Sequence, residues 1–163
     1  MSHSPTVKAP LNSQLASGTV GGYWMAGADG SVYNFGTLAL GSAAPYHPVK
    51  PIVGMTSTPD GHGYWEVATD GGIFSFGDAV FYGSMGGKPL NKPIVGMAAT
   101  PDGKGYWEVA TDGGIFSFGD AVFYGSMGGK PLNEPIVGMA ATPDGKGYWM
   151  VASDGGIFSF GDA

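Results

Sequence analysis

The chain has 163 residues, of which 31 are glycine, and its formal net charge at pH 7 is −6. Its basic residues are seven lysines and no arginine, which argues against nucleic-acid binding, because that function draws on basic patches and arginine. There is no cysteine, so disulfides, thiolate metal sites and a thiol nucleophile are excluded. Hydrophobic residues make up 43% of the chain, which is enough for the core of one domain.

The N-terminal residues 1–9 are interpreted as a tag remnant or a flexible lead-in. They lack the apolar core of a signal peptide, so an exported parent protein would carry its signal outside this chain. No apolar run of the sequence is long enough to predict a membrane span. Residues 10–21 contain the Pro-Leu-Asn motif found at the end of the later repeats, and they are interpreted as a degenerate remnant of a preceding repeat.

A tandem repeat organises the rest of the chain. Tyr-Trp pairs recur at steps of 41, 42 and 42 residues, beginning at Tyr23-Trp24. Fixed periods of this length are typical of solenoids, propellers or arrays. The sequence therefore predicts a single domain over residues 10–163, made of repeats at 22–62, 63–104 and 105–146 and a partial repeat at 147–163.

One repeat is predicted to contain four short strands, at Pro93–Thr100, Tyr106–Thr111, Gly114–Phe118 and Ala121–Ser126. Asp112-Gly113 is a strong signal for a two-residue hairpin of type I′, in which both residues have positive φ. The second strand has apolar residues on both faces, so we expect neighbouring sheets to cover both sides. Four antiparallel strands per 42 residues are typical of a propeller blade. The fold prediction is an all-β propeller of four-stranded antiparallel blades; the competing architecture is a parallel β-helix.

The strand count leaves open how such a ring would close. The last repeat lacks its fourth strand, and the first has only a degraded opening strand. The chain either closes alone as a four-bladed ring or pairs with other copies in a larger one. Unpaired strand edges favour pairing between copies, so a homo-oligomer formed by completing a blade is expected.

The repeated motif GYW…VA.DGGIF.FGDA.FYGS resembles tandem repeats of secreted actinobacterial proteins, which often lie beside cell-wall hydrolases. In pattern it is also similar to the propeller repeats of the regulator-of-chromosome-condensation family. The resemblance covers residues 10–163. It implies a propeller fold and an extracellular or cell-surface location, but no particular activity, because propellers host many unrelated functions.

The search for chemistry gives little that predicts an enzyme. Gly86-Gly87-Lys88-Pro89 fails as a phosphate loop because proline follows the lysine, and it is interpreted as a linker. None of the three histidines, His3, His47 and His62, recurs in the repeat, so no metal site or catalytic triad is predicted.

Two kinds of carboxylate remain as candidates. Paired aspartates, Asp70 with Asp78 and Asp112 with Asp120, suit calcium binding through turn carbonyls, or else tight turns in which Asp bonds its own backbone; the turn is favoured. Glu66 and its repeat Glu108 lie at a strand centre, but acid–base catalysis would need a second carboxylate at a set separation. We therefore predict no catalytic residue, no cofactor and no metal.

Repeated aromatic residues are the best candidates for ligand binding: Trp65, Tyr82, Trp107 and Tyr124. Aromatic faces stack on sugar rings, and repeated shallow sites give avidity; the alternative is that these rings form the core between blades. The expected function is a non-catalytic extracellular binding or targeting module, with a cell-wall or other glycan as partner. The alternative is a structural or protein-interaction scaffold. An enzyme would need a site in the non-repeated stretch Ala43–Val49, which offers only Tyr46 and His47.

Overall fold

A computed structural model describes residues 11–17 and 21–163, the first segment through its backbone alone. The predicted lead-in at 1–9 lies outside these residues. The described residues form four antiparallel sheets of three strands each, so the all-β prediction and the tandem repeat are both confirmed. Sheet 1 contains β1 (Leu11–Ser17), β2 (Tyr23–Gly27) and β3 (Val32–Phe35), and a short 3-10 turn at Ala44–Tyr46 follows it.

Sheets 2, 3 and 4 repeat one plan, in which the middle strand carries the Tyr-Trp pair. Sheet 2 contains β4 (Ile52–Ser57), β5 (Gly63–Ala68) and β6 (Ile73–Gly77). Sheet 3 contains β7 (Ile94–Ala99), β8 (Gly105–Ala110) and β9 (Ile115–Gly119). Sheet 4 contains β10 (Ile136–Ala141), β11 (Gly147–Ala152) and β12 (Ile157–Gly161). In each of these sheets the third strand is an edge strand.

The predicted fourth strand at Ala121–Ser126 is wrong: the segment does not pair with β9 as a strand, and several of its backbone groups bond to side chains. The Val122 carbonyl accepts a hydrogen bond of 2.8 Å from the Trp107 indole nitrogen. The Tyr124 amide donates to the Tyr148 hydroxyl at 3.2 Å, and that hydroxyl donates in turn to the Gly125 carbonyl. The segment therefore connects the Trp of one sheet to the Tyr of the next, and the blade has three strands.

The hairpin at Asp112-Gly113 forms, but it is not a type I′ turn. Among the described non-glycine residues only His47 has positive φ, whereas Gly113 has φ +79°. The Gly113 amide donates to the Ala110 carbonyl at 2.9 Å, and Asp112 Oδ1 accepts from the Gly114 amide at 2.9 Å. One left-handed glycine and one Asx-type bond close the loop, which joins β8 to β9 over four residues.

The sheets stack in chain order through two distinct faces. We call the face toward the preceding sheet the leading face and the face toward the following sheet the trailing face. Trp107 and Val109 on the trailing face of sheet 3 form one buried cluster with Tyr148 and Met150 on the leading face of sheet 4. Every residue of β5 and β8 is buried, which confirms the expectation that the middle strand is covered on both sides.

The same aromatic contact marks all three junctions. The Trp on the trailing face of one sheet packs on the Tyr of the next, with ring centroids 5.3 Å apart for Trp24–Tyr64 and 5.6 Å apart at the other two junctions. The first strands of consecutive sheets lie near one another. These contacts join each sheet to its neighbour, and within the described residues they do not close a ring. No helix among those residues is long and apolar enough to cross a membrane.

Candidate functional site

The two tryptophans predicted to bind ligand are core residues in the structure. Trp65 and Trp107 have no exposed surface. Each indole nitrogen donates a hydrogen bond of 2.8 Å to a backbone carbonyl, that of Val80 or Val122. Because both ring faces are covered, neither tryptophan can stack on a sugar in this conformation. Their predicted role in binding is therefore without support from the geometry.

The two tyrosines of the same prediction, Tyr82 and Tyr124, are half-buried and hold the connecting segments in place. The Tyr82 hydroxyl donates to the Gly103 carbonyl at 3.3 Å, and its ring lies 6.0 Å from that of Tyr106 in an edge-to-face arrangement. Tyr124 repeats these contacts with Gly145 and Tyr148. The repeated aromatic series thus serves the junctions between sheets, and the structure does not gather it into one surface.

Other aromatic residues do line an open groove. It has a volume of about 390 Å³ and runs along the edge strand β6, with Tyr46 and Phe81 beside the strand residues. Tyr46 is 70% exposed and Phe81 is 57% exposed, while Phe74 and Phe76 are half-buried. Of the described residues, none that lines the groove is charged. The arrangement offers flat apolar surface beside the outer edge of a strand.

Local sequence explains how the two exposed rings are presented. Pro45 is the second residue of the short 3-10 turn, and His47 caps its end with φ +50°, so Tyr46 stands in a tight bend that points away from the core. Phe81 precedes Tyr82 in the connecting segment, and Tyr82 faces inward, which leaves its neighbour outside. The signal available in the sequence was that Tyr46 lies in the non-repeated stretch; the exposure of Phe81 had no such signal.

The next repeat lacks the same pair of rings. Phe123 corresponds to Phe81 and is also 57% exposed. Lys88, 42 residues after Tyr46, takes the place of the tyrosine. The groove at β6 therefore combines a repeated aromatic with a residue found once, and the repeat itself supplies a matched comparison.

Glu66 and Glu108 are fully buried on the leading faces of sheets 2 and 3. Glu66 Oε2 accepts a hydrogen bond of 3.0 Å from the Ala43 amide, while Oε1 has no partner. Among the described residues neither oxygen of Glu108 has a partner within hydrogen-bonding geometry; the Met85 amide, which corresponds to that of Ala43, donates to the Gly71 carbonyl at 3.0 Å. Burial raises the pKa of each carboxyl from 4.5 to about 8. The two glutamates lie on different sheets, each at its own junction, and do not form a pair with each other.

The predicted aspartate pairs are not the pairs that the structure joins. Asp78 lies next to Asp60, and one hydroxyl, that of Thr58, lies within hydrogen-bond distance of both, at 2.9 and 2.8 Å. Asp70 instead closes its hairpin by accepting from the Gly72 amide at 2.9 Å. The aspartates thus serve turns, which was the favoured interpretation.

One of these turns also contains His62, whose Nδ1 lies 3.2 Å from Asp60 Oδ2. The ligand atoms of Asp60, His62 and Asp78 lie within 4.8 Å of one another, all on exposed residues. In the next repeat Lys104 replaces the histidine, yet Thr100 joins Asp102 and Asp120 in the same way, at 3.0 and 2.9 Å. Since the arrangement persists without the histidine, turn formation accounts for it.

Comparison with known proteins adds no assignment: no protein-family model matches the chain, and no curated protein matches it. The candidate site therefore stands on its own geometry, as an uncharged aromatic groove along β6.

Proposed function

We propose that the protein is a non-catalytic binding module that holds a neutral glycan chain in the groove along β6. The observation that carries the proposal is the pair of exposed rings, Tyr46 and Phe81, on an open groove without charged lining residues. Sugar rings present C–H faces that pack on aromatic surfaces, and their hydroxyls bond to backbone groups such as those at the edge of a strand.

The proposal differs from the sequence expectation in the residues that bind. The buried Trp65 and Trp107 become the scaffold, and the exposed rings beside β6 become the contact surface. The cell-wall polymer as ligand, the extracellular location and the propeller arrangement of the sheets are parts of the proposal that rest on the resemblance of the repeat motif.

Titration of the protein with a panel of neutral oligosaccharides tests the proposal by calorimetry, and soluble peptidoglycan fragments, whose muramic acid and peptide parts carry carboxylates, are titrated separately. Replacing Tyr46 or Phe81 by alanine should weaken binding about fivefold, because the loss of one stacked ring costs on the order of 1 kcal/mol. Both side chains are exposed, so the variants should fold normally.

Phe123→Ala is the matched control, because Phe123 has the same exposure as Phe81 but belongs to the repeat unit in which Lys88 takes the place of Tyr46. Its affinity should equal that of the unmodified protein. Absence of binding to every glycan in the panel would refute the proposal, as would equal losses for Phe81→Ala and Phe123→Ala.

A second candidate function is a protein-interaction scaffold, and the free edge of β6 favours it. An extended peptide can pair with such an edge through main-chain hydrogen bonds. Binding of extended peptides in the same groove, without binding of any oligosaccharide, would identify this second function.

A further inference from the structure

The outer face of sheet 4 is half of a junction that the chain otherwise buries. Trp107 and Val109 on the trailing face of sheet 3 have no exposed surface. Their counterparts in sheet 4, Trp149 and Val151, are half-buried. The neighbouring Val137 is 49% exposed and Ile157 is 58% exposed. A contiguous apolar face of this kind on a soluble protein marks an interaction surface.

The leading face of sheet 1 is the other half of the same junction. Tyr23 and Phe35 stack with their ring centroids 4.9 Å apart and are 38% and 37% exposed. The tyrosines that correspond to Tyr23 in sheets 2, 3 and 4 are fully buried against the tryptophan of the preceding sheet. Among the described residues nothing occupies the place of that tryptophan beside Tyr23.

The two faces also match in charge. The described strand residues of both are uncharged. Where sheets 2 and 3 bury a glutamate, sheet 1 has Met25, and sheet 4 has Met150, which is fully buried in its junction with sheet 3. Covering Met25 therefore repeats an arrangement that already exists in this chain and buries no carboxylate.

We infer that the trailing face of sheet 4 binds the leading face of sheet 1 of a second copy of this chain, head to tail. The contact is heterologous, so successive copies close into a ring or continue as a filament, depending on the rotation at each contact. The contact stacks one sheet on another, as the three internal junctions do. It therefore differs from the oligomer predicted from the sequence, in which a strand from one copy would complete a blade of another.

The first measurement is the mass in solution by light scattering, combined with acrylamide quenching of tryptophan fluorescence. Trp24, Trp65 and Trp107 are at most 1% exposed, so quenching reports mainly on Trp149. We expect a mass of at least twice the 16.6 kDa of one chain, and quenching that increases as dilution separates the copies. A mass of one chain with quenching independent of concentration would overturn the inference.

Paired lysine substitutions locate the contact. Val137→Lys with Ile157→Lys charges the trailing face, and Tyr23→Lys with Phe35→Lys charges the leading face; each double variant should be monomeric. Val122→Lys is the control, because Val122 is 54% exposed in a connecting segment and lies on neither face. This control should keep the mass of the unmodified protein. Unchanged assembly in both double variants would overturn the inference.

Mixing the two double variants tests the head-to-tail direction. The intact trailing face of one variant can bind the intact leading face of the other, so an equimolar mixture should give a one-to-one dimer. Self-association of the variant with an intact trailing face, in the absence of the other, would show a symmetric contact and overturn the inference. Chemical unfolding of each variant alone checks that the monomeric state is folded.

Discussion

The two buried glutamates should make the stability of this protein fall as the pH rises through the neutral range. Glu66 and Glu108 have no exposed surface, and three of their four carboxylate oxygens lack a hydrogen bond to any residue that the structure describes. Burial raises the pKa of each carboxyl from 4.5 to about 8. The folded state therefore holds both protons at a pH where the unfolded chain has released them.

The sign and the size of the effect follow from proton linkage. Between pH 4.5 and about 8 the folded state binds more protons than the unfolded state, so the free energy of unfolding decreases with rising pH. The stabilising contribution is complete below pH 4.5 and is lost as the pH rises through about 8. At about 1.4 kcal/mol per pKa unit, such shifts amount to several kcal/mol per carboxyl.

Sheet 4 supplies the substitution that tests this reasoning, because Met150 occupies the corresponding position and is fully buried there. We expect Glu66→Met with Glu108→Met to remove most of the pH dependence and to exceed the unmodified protein in stability above pH 8. The measurement is urea unfolding at a series of pH values that spans both pKa values. The exposed aspartate pairs at the turns are unchanged in this variant, so their titration cancels in the comparison.

Glu134→Met is the control for the loss of a carboxylate as such, since Glu134 is exposed. This variant should keep the pH slope of the unmodified protein. A free energy of unfolding that stays constant between pH 4.5 and about 8 would refute the reasoning, and so would an equal slope in the double methionine variant.

Two further expectations concern the junctions between sheets and are tested by the same unfolding assay. Tyr106→Phe removes the hydroxyl that accepts from the Tyr82 amide at 3.1 Å, and it should cost about 1–3 kcal/mol because polar backbone groups lose their partner; a cost near zero would contradict this role. Gly125→Ala combines φ +129° with a Cβ placed 2.7 Å from the Phe160 ring, whereas at Gly129, with φ +76°, a Cβ meets nothing within 4 Å. Both variants should be destabilised by about 1–2 kcal/mol of backbone strain, and only Gly125→Ala should lose more; equal losses would show that the ring gives way without cost.

The strands were predictable because their signals are local. The alternation around Trp107 and the Asp-Gly pairs determine three strands and their hairpins, and β8 begins one residue before its predicted start at Tyr106. The segment Ala121–Ser126 has the same β-prone residues, yet it is not a strand. What decides its structure is the hydrogen-bonding of Trp107 and Tyr148 to its backbone, and such long-range bonds leave no pattern in the local sequence.

The candidate site was less predictable for the same reason. An aromatic residue at a fixed place in a repeat can stack on a ligand or on the next repeat. The residue type is the same in both cases, so the sequence alone does not separate the two roles. The structure separates them: Trp65 has no exposed surface, whereas Phe81, 16 residues later in the same repeat, is 57% exposed. The burial of Glu66 was equally hard to predict. A charged residue suggests an exposed surface or a channel, and its burial depends on the packing of both neighbouring sheets.

The proposed ligand site and the proposed assembly surfaces are separate parts of one stack, so either proposal can be refuted without refuting the other. The groove lies along β6 and takes Tyr46 from the connection between sheets 1 and 2. The assembly surfaces are the leading face of sheet 1 and the trailing face of sheet 4, and they share no residue with the groove.

In a stack stabilised by contacts between neighbouring sheets, the end sheets have one covered face each and are the least stable. Head-to-tail binding would cover both faces of every sheet and present one groove per copy, so that several grooves on one assembly would bind a repetitive polymer with avidity. Monomeric face variants that keep the affinity for a short oligosaccharide but lose it for a long one would separate the two contributions.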